Sequence, residues 1–263
     1  MRLKAVWAVE WELNKTMGIN LQFSLKFGLS IQLIALGLIP ITYLQADDIV
    51  VYGATGNIGS KIVTEALDRG HHVIGVSRNP QNFDIDHPNF SGVPGDVSNL
   101  ESMLEIIEGT DAVVISVRGP GPNNYPEETL NNRASKTFIA ASRSLGEEVA
   151  PRVIQLGGGS TLYTNGVLGL DARPNIEGTP QHGLVWGHWL ALQNYRATTA
   201  VKWTVISPSG QYDREGPRTG TYRQGWDEVL AQAGGISHLD MAAAVIDEIE
   251  SPKSLKRRMT VGY

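Results

Sequence analysis

Three glycines, Gly53, Gly56 and Gly59, follow the apolar run 49–52 (IVVY) at the spacing GxxGxxG. The next residues, 60–70, show a helical spacing of apolar side chains and end at a glycine. Between a buried strand and a helix, such a turn lets a pyrophosphate approach bare backbone and bind helix N–H groups. Gly53 permits the tight turn, Gly56 the close approach, and Gly59 close helix–strand packing. The pattern predicts a phosphate-binding turn, and a glycine turn without a ligand is the alternative.

The end of the next predicted strand, 71–78 (HHVIGVSR), distinguishes between cofactors. It carries Ser77 and Arg78, and no acid follows before Asp84. NAD sites usually place a carboxylate here to bind the ribose 2′-hydroxyl, whereas NADP sites place an arginine near the 2′-phosphate. An arginine fork with a serine hydroxyl can bind that phosphate, and a carboxylate would repel it. NADP(H) is therefore expected in preference to NAD(H), and a solvated loop position for Arg78 is the alternative.

Strand-like and helix-like patterns alternate throughout residues 47–263, which we expect to form one nucleotide-binding domain. Such alternation predicts an α/β fold, a doubly wound, Rossmann-type parallel sheet with helices on both faces and a small C-terminal elaboration on the substrate side. The loops 159–181 and 209–226 are expected above the carboxyl ends of strands five and six, where open α/β sheets bind ligands. The predicted strands are 49–52, 71–78, a short stretch of 91–97, 111–117, 152–158 and 202–208, with helices at 60–70, 99–109, 126–145, 182–198 and 239–250, and a last strand or extended end at 257–263.

Residues 1–46 differ from the rest of the chain. Residues 29–44 are uncharged and largely apolar, Lys26 precedes them, and residues 44–46 resemble a small-residue cleavage site. This pattern is typical of a signal peptide, or of an anchor that would be the chain's one membrane contact. A buried or interfacial helix is the alternative. Export or membrane anchoring is expected, with a cytoplasmic location as the alternative.

Charge and cysteine content exclude several classes of function. The chain has no cysteine, so disulfides, thiolate metal sites and cysteine nucleophiles are ruled out. Residues 1–46 have four basic and two acidic side chains, which leaves 18 basic and 25 acidic ones, a net charge of −7, in residues 47–263. An acidic body of this kind argues against nucleic acid as the main partner. His182 and His188 have no third ligand in place, so no metal is expected. A small-molecule acceptor is the expected partner, for a monomer or homodimer.

Several segments together resemble the atypical short-chain dehydrogenase/reductases: VVYGATGNIGSKIV, GVSRNP, GDVSN, DAVVISV, VIQLGGGSTL, WTVISP and TVGY. Within them, the chain is similar to an NAD(P)H-binding group that includes proposed NADH-flavin reductases and biliverdin reductase B-type flavin reductases. The resemblance covers residues 48–263. It implies a pyrophosphate site at Gly53, Thr55, Gly56, Asn57, Ile58 and Gly59, an adenosine phosphate site at Ser77 and Arg78, an adenine site at Asp96 and Val97, a ribose site at Ser116 and Val117, and a nicotinamide site at the turn 157–160 with Gly158.

One departure from that superfamily concerns its Tyr-x-x-x-Lys pair, in which lysine lowers the pKa of the tyrosine that passes a proton to a carbonyl. None of the eight tyrosines is followed four residues later by lysine, and the segment 182–196 contains no lysine. Carbonyl or alcohol chemistry by that route is therefore not expected. Flavins and quinones do not need the pair, because the protein mainly orients the donor and acceptor rings.

Three residues are candidates for catalysis on the acceptor side. Ser160 follows the glycine turn after strand five, where this superfamily usually has a substrate-facing serine. Tyr163 and His188 come from the loop and helix that should cover the acceptor. His188 is the candidate proton donor, because imidazole changes charge near neutral pH. For any single histidine in this segment, a structural or surface position is the alternative. Arg118, after strand four, would pair with a phosphate or carboxylate, or cap the strand end.

The expected function is reduction of a flavin (FMN or FAD as substrate), a quinone or a similar planar acceptor by NADP(H), with direct hydride transfer. A non-catalytic NADP-binding redox sensor, like the NmrA-type regulators, is the first alternative. An epimerase or dehydratase of the sugar-nucleotide type ranks last, because it normally needs the Tyr/Lys pair.

Overall fold

The computed structural model describes residues 46–120, 124–172 and 176–263. Apart from Ala46, the predicted leader lies outside these residues, so its nature and the location that it implies stay predictions. In the described part of the chain, no helix is both long and apolar enough to cross a membrane.

An eight-stranded sheet organises the described residues, in the order β10-β12-β8-β5-β4-β1-β2-β3. Every neighbouring pair in it is parallel except β10 and β12. The prediction of a doubly wound parallel sheet is confirmed. The strands are β1 Asp48–Tyr52, β2 His72–Ser77, β3 Phe90–Pro94, β4 Ala112–Ile115, β5 Arg152–Leu156, β6 Tyr163–Thr164, β7 Val167–Leu168, β8 Trp203–Pro208, β9 Tyr212–Asp213, β10 Arg223–Gly225, β11 Ile236–Ser237 and β12 Arg257–Gly262.

In the part of the chain that the structure describes, five α-helices cover both faces of this sheet, as the alternating pattern predicts. They are α1 Gly59–Asp68, α2 Leu100–Ile107, α3 Leu130–Leu145, α4 Pro180–Arg196 and α5 His238–Glu250. Helices α1 and α5 pack together, and α3 packs against both α2 and α4. On β1, Ile49 and Val51 belong to one core cluster and Val50 and Tyr52 to the other. Burial on both faces explains why the strands read as continuous apolar runs.

Helix starts and short strands differ most from the sequence-based prediction. The helix expected from residue 126 begins at Leu130, after a 3₁₀ turn at Pro126–Glu128. Thr129 caps it, its side chain accepting a hydrogen bond from the Asn132 N–H. The predicted loops contain the pair β6 and β7, strand β9 and strand β10. Strands of two or three residues carry no period that a sequence pattern could reveal.

The chain leaves β1 for β2 on one side and returns to β4 on the other side of β1. The connection after β1 leads to β2 on one side, and the connection after β4 leads to β5 on the other side. The turns at the carboxyl ends of β1 and β4 therefore run in opposite directions. In open α/β sheets, such a switch point opens the crevice in which ligands bind.

Candidate functional site

A cleft of about 1100 Å³ lies at this switch point. Its walls come from the turns that follow β1, β2, β3, β4, β5 and β8, and from one side of α4. Most of the residues predicted to bind a cofactor line it: Gly53, Thr55, Gly56, Asn57, Ile58, Ser77, Arg78, Asp96, Val97, Ser116, Val117 and Gly158, together with Ser160 and His188. Gly59 and Tyr163 are not among the lining residues.

Each of the three glycines of the turn occupies a position where a side chain would meet a different steric obstacle. Gly53 has φ +80°, and a Cβ there would lie 2.4 Å from the Ser116 carbonyl oxygen. A Cβ on Gly56 would lie 3.0 Å from the Gly53 carbonyl oxygen, and one on Gly59 only 2.0 Å from that oxygen. Gly59 is buried and packs α1 against the turn, which is why it does not line the cleft.

The start of α1 faces the cleft without a side-chain cap. Ile58, the residue before this helix, makes no side-chain hydrogen bond to the first turn. The first N–H groups of a helix have no intrahelical acceptor and carry partial positive charge. Bare backbone at Gly56 and an uncapped helix start fit a pyrophosphate, which is the group that the sequence pattern predicts here.

On the side where the adenosine is predicted, Arg78 follows β2 with its side chain exposed. The Ser77 hydroxyl accepts a hydrogen bond from the Asn79 N–H at 3.2 Å, so it holds the local turn. Asp96 is exposed and accepts a hydrogen bond from the Ser98 N–H at 2.8 Å, whereas Val97 is buried. These residues reach the cleft from the ends of two neighbouring strands.

His188 lies on the cleft side of α4, at helical spacing from Gln181, Leu184 and Val185. A Cβ on Gly158 would lie 3.1 Å from the His188 Cδ2 atom, so a side chain there would press on the ring. The Asn131 side-chain nitrogen lies 3.1 Å from Nδ1 and 3.5 Å from Nε2 of His188. It therefore lies against the ring instead of in line with either nitrogen, and the ring is held between Asn131 and Gly158.

The expectation that His188 changes charge near neutral pH is corrected by its surroundings. Burial, followed by the positive charge of Arg118, lowers the pKa of His188 to about 4. At neutral pH the ring is therefore neutral. It can donate a hydrogen bond from its single N–H, but it is not the imidazolium acid that the sequence suggests.

The prediction that Tyr163 faces the acceptor is wrong, because its side chain points away from the cleft. Its neighbours Leu162 and Thr164 line the cleft, and alternation along the chain turns Tyr163 the other way. The ring packs edge-on against Trp189, with 6.4 Å between ring centroids. His182 and Trp186 contact each other and are likewise absent from the lining. In the described residues, no group of three ligating side chains could hold a metal ion.

Sequence reasoning missed Tyr212 and His238, which also line the cleft. Their rings meet edge-on with centroids 5.3 Å apart. Burial, followed by the charges of Arg214 and Lys61, lowers the pKa of His238. The available signal was weak: Ser237 has the residue type of a helix cap, but nothing in the sequence places the start of α5 against the loop after β8.

Comparison with known proteins agrees with this geometry. Residues 53–252 match the protein family described as NAD(P)H-binding. An uncharacterized protein of Bacillus subtilis, YwnB, is 30% identical over 220 residues, which cover 80% of this chain and 96% of that protein.

Two solved structures share the architecture at comparable identity. A proposed epimerase from Bacteroides thetaiotaomicron is 31% identical with a TM-score of 0.71, over 83% of this chain and 98% of that one. A proposed NADH-flavin reductase from Streptococcus pneumoniae is 25% identical with a TM-score of 0.69, over 82% of this chain and 99% of that one. The chain belongs to the NAD(P)H-binding family, with a Rossmann-type fold.

Proposed function

We propose that the protein is an NADPH-dependent reductase that passes a hydride directly to a planar acceptor of the flavin or quinone type. One continuous cleft supports this proposal, running from the glycine turn and Arg78 past Gly158 to an apolar wall. The name of the streptococcal relative, a proposed NADH-flavin reductase, supports the flavin-type acceptor, and the preference for NADPH rests on Arg78.

The cofactor end of the cleft binds NADPH and orients its nicotinamide ring. The uncapped start of α1 and the bare backbone at Gly56 take the pyrophosphate, and the exposed Arg78 guanidinium takes the 2′-phosphate. Gly158 packs against the His188 ring and lines the cleft without a side chain, so a flat group can approach its backbone. When bound, NADPH supplies the hydride and becomes NADP⁺.

The acceptor end holds a ring and donates hydrogen bonds. Leu162, Leu184, Val185 and Val229 supply apolar wall on which a planar ring can lie. Ser160 and the neutral His188 line the same region and can donate hydrogen bonds to a ring oxygen or nitrogen. With His188 neutral, the proton that accompanies the hydride comes from solvent.

The lack of a Tyr/Lys pair argues against epimerase chemistry, although one relative is a proposed epimerase. The one tyrosine of α4, Tyr195, is buried in the core and is followed four residues later by Thr199 instead of a lysine. No lysine is therefore in place to lower the pKa of a proton-transferring tyrosine on this helix.

The test begins with fluorescence titrations of the full chain with NADPH and with NADH. We expect micromolar binding of NADPH and much weaker binding of NADH, followed by consumption of NADPH with FMN, FAD, riboflavin or a quinone. Arg78→Asp should weaken NADPH binding at least tenfold more than NADH binding. Arg143→Asp, an exposed change on α3, is the matched control. Equal losses for both cofactors in Arg78→Asp contradict the role of Arg78.

A non-catalytic NADP-binding sensor is the second candidate. The neutral His188 and the missing Tyr/Lys pair favour it, because both leave the cleft without an evident acid. Tight NADPH binding with no consumption by any of these acceptors would select the sensor over the reductase.

A further inference from the structure

We propose that Arg118 forms an anion-binding subsite at the acceptor end of the cleft, so that the acceptor carries a phosphate or carboxylate group. This inference rests on the proposed reductase function and names the class of acceptor. FMN, which carries a phosphate, is then preferred to riboflavin, which has the same ring system without it.

The charge of the cleft is opposite to that of the chain around it. Residues 47–263 have a net charge of −7, yet the cleft is lined by Arg78, Arg118, Arg133 and Arg214 against one carboxylate, Asp96. Among the described residues, none of these four arginines forms an ion pair, whereas these five arginines elsewhere do: Arg69, Arg152, Arg196, Arg218 and Arg258. Unpaired arginines in a concave site focus a positive potential and attract anions.

The backbone on both sides of Arg118 is anchored to the start of α3. The Asn131 side-chain nitrogen donates to the Val117 carbonyl oxygen at 3.0 Å, and the Leu130 N–H donates to the Gly119 carbonyl oxygen at 3.3 Å. A Cβ on Gly119 would lie 2.7 Å from the Leu130 side chain, so the loop packs closely there. These contacts restrain the backbone around Arg118, which lowers the entropic cost of placing its side chain on an anion.

Arg118 lines the same cleft as His188 and Tyr212. Its charge lowers the pKa of His188 on α4 and opposes the burial that raises the pKa of Tyr212 after β8. The proposed phosphate sites of the cofactor have other partners, the start of α1 for the pyrophosphate and Arg78 for the 2′-phosphate. Arg118, Arg133 and Arg214 remain in the cleft. Arg118 is the one whose backbone is anchored on both sides, so it is the arginine positioned for an anionic group on the acceptor.

The test measures flavin binding to the full chain saturated with NADP⁺, by quenching of flavin fluorescence. FMN and riboflavin are compared in the wild type and in Arg118→Gln, Arg118→Lys and the control Arg143→Gln. We expect the wild type to bind FMN at least tenfold more tightly than riboflavin. Arg118→Gln should abolish this preference without changing riboflavin binding, whereas Arg118→Lys should keep part of it and Arg143→Gln all of it.

Three results overturn the subsite. They are equal binding of the two flavins by the wild type, an unchanged preference in Arg118→Gln, and a loss of NADPH affinity in that variant as large as its loss of FMN affinity. The last result would assign the arginine to the cofactor. The reductase proposal has its own readout, which is consumption of NADPH. Consumption with riboflavin or a neutral quinone, together with equal binding of the two flavins, supports a reductase without an anionic subsite. No consumption with any acceptor contradicts the reductase itself.

Discussion

The Asn131 side chain joins two walls of the cleft, donating to the Val117 carbonyl oxygen at 3.0 Å while lying 3.1 Å from the His188 ring. Asn131 itself is buried, and the Gln155 side chain donates to its backbone carbonyl oxygen at 3.0 Å. Gln155 in turn accepts a hydrogen bond from the Tyr195 hydroxyl at 2.8 Å. A chain of buried polar groups thus positions Arg118 and His188 from behind the site.

Replacing Asn131 by leucine removes that connection. We expect a loss of about 1–3 kcal/mol in the free energy of unfolding, because the Val117 carbonyl oxygen loses its buried partner. NADPH affinity should fall as well, since Val117 and His188 both line the cleft. Urea unfolding and NADPH titration measure the two effects.

Asn194→Leu is the matched control for this change. Asn194 donates to Asn132 and Ser135 at the interface of α3 and α4, and it does not line the cleft. It should lose comparable stability without losing NADPH affinity. If both variants bind NADPH like the wild type, Asn131 has a purely structural role.

The lowered pKa of His188 predicts how stability depends on pH. The unfolded chain takes up a proton near the ordinary pKa of 6.5, but the folded chain does so only near 4. Between these values the unfolded state binds more protons, so this group's contribution to stability falls as the pH falls from 6.5 towards 4. His188→Gln should reduce the difference in unfolding free energy between about pH 7 and about pH 5. An identical pH difference in the variant would show that His188 titrates normally.

Gly59→Ala tests the packing of α1 on the glycine turn. The added methyl group would lie 2.0 Å from the Gly53 carbonyl oxygen, so backbone must shift. We expect a loss of about 1–3 kcal/mol in stability and at least tenfold weaker NADPH binding. Gly234→Ala is the control, because its nearest neighbour would be a side-chain atom at 3.8 Å. Unchanged NADPH binding in Gly59→Ala would contradict a cofactor site at this turn.

Arg258 is fully buried beneath the acceptor wall and pairs with Asp227 at 2.6 Å. It also donates to the Thr161 carbonyl oxygen at 2.6 Å, next to Leu162 of the cleft. Arg258→Met should cost about 2–4 kcal/mol of stability, because buried acceptors lose a charged donor. Thermal and urea unfolding measure this cost.

The neighbouring Arg257 provides the control, since it is exposed and lies 3.7 Å over the Trp226 ring. Arg257→Met removes an exposed cation–π contact, for which about 0.5–1 kcal/mol is expected. Equal losses of unfolding free energy in the two variants would mean that the contacts of Arg258 with Thr161 and Asp227 do not contribute to stability.

The sequence by itself determined the local parts of this protein. Apolar β-branched runs specify buried parallel strands, and Gly53, Gly56 and Gly59 specify a turn that leaves no room for a side chain. These features depend on neighbours along the chain, and the structure confirms the fold that they predict.

The tertiary structure alone decided which polar groups meet across the cleft. A two-residue strand turns Tyr163 away, burial beside Arg118 keeps His188 neutral, and the start of α5 brings His238 to Tyr212. The direction in which a side chain points and its electrostatic environment depend on groups that are far apart in the chain. Local spacing carries no information about those groups.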